Sequence, residues 1–96
     1  MRKYEITFIV RPDLEENAMK EVFESMKGVL ESKKAKILEA KEEGQKELAY
    51  EIKKYKNGYY FFFVVEEENA DAINEFDRLA LINENIIRHL VVRIAD

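Results

Sequence analysis

An α+β fold, four antiparallel strands with two helices against one face of the sheet, is predicted by three features of this 96-residue sequence. Apolar residues recur three and four apart in two segments, one beginning after Asp13 and the other after Asn69. Four other segments, 2–10, 36–53, 59–67 and 86–94, carry them at alternate positions or in β-branched and aromatic runs. In chain order these read strand, helix, strand, strand, helix, strand, with no repeat and no linker between them.

Residues 2–10 set Tyr4, Ile6, Phe8 and Val10 against Lys3, Glu5 and Thr7, the period-two pattern of a half-buried strand. Pro12 breaks it, and Asp13 with Glu16 three residues later reads as a helix N-cap and capping box. Met19, Val22, Phe23, Met26, Val29 and Leu30 then form one apolar stripe. Lys36 to Lys53 reads as one long strand bent at Gly44, where glycine permits the backbone of a bulge. Asn57-Gly58 is a hairpin signal because both residues tolerate positive φ, so the turn is expected there. Residues 59–67 follow as the returning strand. Asn69 is placed as the cap of the second helix, with Ile73, Phe76, Leu79 and Ala80 as its buried stripe, and 86–94 make a β-branched last strand. Right-handed crossovers leave a gap between the first two strands that the third fills, the ferredoxin-like βαββαβ arrangement. Residues 1–96 are read as one such domain. The topology hosts many activities, so function has to come from surfaces.

The third strand breaks the alternation expected of a sheet with one wet face. Tyr59, Phe61, Phe63 and Val65 form one apolar set and Tyr60, Phe62 and Val64 the other, so periodicity leaves open which set meets the helices. Arg88, Leu90, Val92 and Ile94 repeat the pattern in the last strand. The uncovered face is expected to carry an apolar patch larger than the roughly 400 Å² usual on a monomer. Its residues, Ile9, Tyr60, Phe62, Val64, Leu90 and Val92, read as a protein interface. Three other readings compete: ordinary core, a homodimer closed through the sheet face, and base stacking on Tyr60 and Phe62 as in RNA-recognition motifs. "GYYFFFVV" lacks most of the glycine-rich basic consensus of that motif, which ranks stacking lower.

Sixteen basic against 20 acidic residues give a formal charge of -4, which speaks against a free-standing nucleic-acid binder unless the charges are segregated. They are. Glu15, Glu16, Glu21, Glu24 and Glu31 belong to the first helix, and Glu66 to Glu68, Asp71, Glu75 and Asp77 surround the second. Arg2, Lys3, Lys46, Lys53, Lys54, Lys56, Arg88 and Arg93 lie on the strands and the hairpin, where they could meet phosphates. Catalysis finds no support: there is no Cys, His89 has no evident nucleophile beside it and reads as a packed histidine, and no glycine-rich phosphate cradle or calcium-loop spacing occurs. No enzyme, metal or cofactor is expected. The lack of Cys, of a signal-peptide pattern and of a membrane-length apolar run points to the cytoplasm.

Three stretches, "MRKYEITFIVRPD", "EGQKELAYEIKK" with "NGYY" after it, and "NENIIRHLVVR", resemble the bacterial small-subunit ribosomal protein six family in the same order and with similar spacing over essentially the whole chain. The resemblance implies a ferredoxin-like structural protein of the ribosome that pairs with small-subunit ribosomal protein eighteen. The pair binds the central domain of the small-subunit ribosomal RNA during assembly. It further implies that the apolar sheet face receives the partner, which could also supply most of the positive charge. Arg2, Lys3, Tyr4, Tyr50, Lys54 and Arg88 fall on family motif positions, with Arg2, Lys54 and Arg88 the foremost RNA-contact candidates. Tyr4 alternates with Ile6 and Phe8, which favours core. Two departures stand out: Glu51 where many relatives place Pro after Leu-Ala-Tyr, and Gln45-Lys46 where relatives often follow the glycine with two basic residues.

Overall fold

The computed structural model describes residues 1–95 and forms the six elements in the expected order: β1 (Arg2–Val10), α1 (Glu16–Ser32), β2 (Lys36–Ile52), β3 (Tyr55–Glu67), α2 (Asp71–Ile82) and β4 (Ile86–Ala95). The sheet order is β2-β3-β1-β4 with every pairing antiparallel, which is the ferredoxin-like fold. Register decides what periodicity left open. Ile6 lies opposite Phe63 and Phe8 opposite Phe61, and these residues, with Tyr4, Val10 and Val65, share one core with Val22, Met26 and Leu30 of α1 and Ala72, Ile73, Phe76 and Ala80 of α2. The odd positions of β3 therefore meet the helices. Tyr4 is core. Phe8 sits at the centre, its ring centroid 5.2 Å from Phe61, 5.5 Å from Phe63 and 5.7 Å from Phe76, in the offset and edge-on geometries that aromatic quadrupoles prefer.

The start of α1 differs from expectation. Glu15, not Asp13, occupies the N-cap position, and no side chain caps the helix there. Leu14 packs against the main core, which anchors the turn at Pro12-Asp13 outside the helix. The Asp13 carboxylate instead lies 3.7 Å from the Arg11 guanidinium and accepts a long, 3.5 Å bond from the Tyr55 hydroxyl. At α2 the Asn69 side chain accepts from the Asp71 N–H, but Ala70 holds the N-cap position, and the next two amides bind elsewhere. Ala72 and Ile73 donate to the two carboxylate oxygens of Glu67, at 3.1 and 3.2 Å. Glu67 is 3% exposed, and it satisfies orphan donors at the positive end of the helix dipole from the end of β3.

β2 bends at Gly44, whose φ is +90°, beside a shift of register between Glu42 and Gly44. The hairpin turn, however, is not at Asn57-Gly58. It is Lys53-Lys54, with φ of 49° and 72°, the pair of positive angles of a type I′ turn, flanked by the Ile52–Tyr55 pair. Asn57 and Gly58 are inside β3, opposite Glu47 and Lys46. The glycine serves packing rather than turning, because a Cβ on Gly58 would overlap Cγ2 of the buried Ile9. Ile9, Leu48 and Ile87 form a second cluster there, with Ile52, Tyr55 and Tyr60 around it. It holds the two-stranded arm, residues 46–58, by which β2 and β3 extend past the end of β1. Gly58→Ala is accordingly expected to destabilise the fold by about 1–3 kcal/mol through overpacking. Denaturant unfolding checks it: a lower midpoint at unchanged slope is expected, and an unchanged midpoint would show that Ile9 gives way freely.

Candidate partner-protein and RNA interface

On the face away from the helices, the central residues Glu5 and Thr7 of β1 are flanked by Val64 and Phe62 on one side and by Val92 and Leu90 on the other. Leu90 is 62% exposed, Val92 and Ile94 are also exposed, and Phe62 and Val64 are half-buried. These side chains make an apolar strip of two rows, one on β3 and one on β4, with Glu5 and Thr7 of β1 between them. Its β2 border is polar: Lys41 and Glu39, opposite Phe62 and Val64, form a 2.8 Å ion pair. The hydrogen bond to Glu39, with its charge, raises the Lys41 ammonium above its ordinary pKa. The expected patch is narrower than its sequence pattern. Ile9 points to this face but is only 8% exposed, covered by Leu48 and Ile87, so it lies beneath the arm rather than on the open strip. Tyr60 packs against the same cluster, with the Lys46 ammonium 5.1 Å from its ring centroid.

The eight cations do not converge on one place. Arg2 and Lys3 stand opposite Glu67 and Glu66, and Arg93 opposite Tyr4, at the end of the sheet where β1 begins. Lys46, Lys53, Lys54, Lys56 and Arg88 are on the arm or beside it, at the other end of β1, roughly 25–30 Å away at about 3.4 Å per residue. Lys46 lies 3.8 Å from Glu43. Arg88 crosses the open face to the arm, where one guanidinium N–H group (Nη1) donates to the Tyr50 hydroxyl at 2.7 Å and the guanidinium carbon lies 5.7 Å from the Tyr50 ring centroid. This contact, between residues 38 apart in sequence, has no local signature.

His89 faces α2. Its Nε2 is 2.7 Å from Asp77 Oδ1 and its ring meets Phe76 edge-on, so it joins β4 to α2 as a packed histidine. Among the described residues no group of three or more His, Cys, Asp or Glu is arranged to hold a metal ion. No helix among them is long and apolar enough to cross a membrane.

A family model described as ribosomal protein S6 matches residues 3–93. The crystal structure of 30S ribosomal protein S6 from Thermotoga maritima is similar at 29% sequence identity and a TM-score of 0.92, over 97% of this chain and 87% of that one. Agreement of sequence pattern and strand order over nearly all of its length shows that this chain belongs to the ribosomal protein S6 family, structural proteins of the small ribosomal subunit.

Proposed function

We propose that this protein binds the central domain of the small-subunit ribosomal RNA as a pair with small-subunit ribosomal protein eighteen, and that it acts as a structural element of subunit assembly rather than as an enzyme. The observation that carries this reading is the partly exposed apolar strip of Phe62, Val64, Leu90 and Val92 on a face no helix covers. Apolar strips of this kind on folded chains mark interaction sites. A basic partner seated on it also accounts for RNA binding by a chain of charge -4, since counterion release from phosphates follows the charge of the pair. Cations of the arm and of Arg88 then contact phosphates at one border of the joint surface.

Titrating a central-domain RNA fragment with this protein, with ribosomal protein eighteen, and with both tests the reading. Tight binding is expected only with both. Leu90→Glu places a charge in the β4 row of the strip at an exposed position, so the fold is retained while pairing weakens by about 2 kcal/mol or more, the scale of an interface hot spot. Unchanged pairing would remove the strip from the interface. A stable homodimer of this chain alone, indifferent to the partner, would overturn the proposal.

A further inference from the structure

A groove of about 310 Å³ lies where the tip of the arm, the start of β4 and the end of α2 meet. Ile52 and Ile87 contribute apolar surface to it, Leu81 contributes more from the end of α2, and Lys53, Arg88 and His89 complete most of the lining. Leu81 is 69% exposed and offers its apolar surface to the groove. No carboxylate lines this groove. The concavities around Lys33, Lys27 and Arg78 are different, since each has acidic residues beside its cations: Glu66 to Glu68, Glu31 with Glu39, and Asp71 with Glu75. In a chain with four more acidic than basic residues, a concavity lined by Lys53, Arg88 and apolar groups, with His89 already engaged by Asp77 behind it, is complementary to an anion with an apolar body.

The details narrow that class. Lys53 is held in the left-handed backbone region, φ 49°, a conformation that costs a non-glycine residue energy and recurs at binding sites. Arg88 spends one N–H group on Tyr50 and has further donors in its planar fork, which suits phosphate oxygens. Arg88 holds the hydroxyl end of Tyr50, and that ring is exposed, so a planar aromatic ligand would find a flat face beside the groove. Single-stranded RNA is recognised by unstacked bases laid on aromatic or guanidinium surfaces, with the backbone held by cations.

We propose that the groove between Lys53, Leu81 and Arg88 receives one unstacked nucleotide of RNA, its base against Leu81, Ile87 and Ile52 and its phosphate between Lys53 and Arg88. The proposal rests on the RNA-binding reading above and narrows it to the arm end of the sheet.

Leu81→Glu tests it, with Ile82→Glu as control, because Ile82 is equally exposed at 67%, receives the same charge and does not line the groove. With the partner present, Leu81→Glu is expected to weaken binding of the central-domain RNA fragment at least tenfold, and Ile82→Glu to change it less than twofold. In parallel, adenosine and uridine monophosphates titrated into the full-length protein should shift the backbone amides of residues 52, 53, 81, 87 and 88. Tight RNA binding by the wild type with equal effects of the two variants would overturn the groove and leave RNA binding standing. If the wild-type pair fails to bind RNA, the functional reading fails separately, and the nucleotide titration decides the groove: shifts confined to it support the site, and their absence overturns it. Shifts produced by an acidic peptide and not by the nucleotides would also overturn it, in favour of a protein ligand.

Discussion

Phe61→Ala is expected to cost about 3–5 kcal/mol, a large fraction of the 5–15 kcal/mol that usually separates folded from unfolded states. The ring is fully buried, with centroids of Phe23, Tyr59 and Phe8 at 4.9, 5.1 and 5.2 Å. Truncation removes the side chain that joins α1 to the middle of the sheet and leaves a cavity whose walls, other rings on fixed backbone, collapse poorly. Phe62→Ala, one residue on, removes the same atoms from the half-buried opposite face and is expected to cost much less. Equilibrium unfolding of the two variants checks the comparison. Equal losses would mean that the faces of β3 are assigned wrongly.

Glu67→Ala is expected to destabilise by about 2–3 kcal/mol, since a hydrogen bond to a charged group contributes about 1.5–3 kcal/mol and the loss also leaves two donors unpaired. Those donors, the amides of Ala72 and Ile73, are buried at the start of α2, and the truncated side chain no longer reaches them. Glu67→Gln keeps an oxygen acceptor but loses the charge facing the helix dipole, so an intermediate loss is expected. Thermal or denaturant unfolding of both variants measures the order. Equal stability of Glu67→Ala and wild type would show that the cap contributes nothing.

Much of this architecture is legible residue by residue. The alternation of Tyr4, Ile6, Phe8 and Val10 reports its own burial, and the stripe Val22, Met26, Leu30 reports the core face of α1. The bend at Gly44 is equally local, because only a residue without a Cβ takes φ of +90° easily. What misleads is Asn57-Gly58, a turn signal in local terms whose glycine is required by Ile9, 49 positions earlier (58 − 9). The turn falls instead on two lysines, since the packing of Leu48, Ile52 and Tyr55 sets the register of the arm. Glu67 carries a visible sign of its role: it continues the core-facing series Phe61, Phe63, Val65, where a carboxylate has no place unless donors await it. For the interface, the apolar strip was readable as a break in alternation. The separation of the cations into two groups was not, because it depends on which strand ends lie together, and that is a property of the sheet order.

The position of β1 between β3 and β4 bears on how the chain is made. β1 is the first of the four strands to be synthesised, and its second neighbour is the last of them, 92 residues later (95 − 3) in the pairing of Lys3 with Ala95. After β3 is complete, roughly thirty residues remain before β4 can dock, about 1.5–6 s at typical synthesis rates of about 5–20 residues per second. Through those seconds the hydrogen-bonding edge of β1, with Ile6 and Phe8 along it, has no strand beside it. An unpaired apolar edge is a template for wrong partners. The newborn chain is therefore most vulnerable to misassociation between the completion of β3 and the docking of β4, and the arrival of β4 ends that exposure.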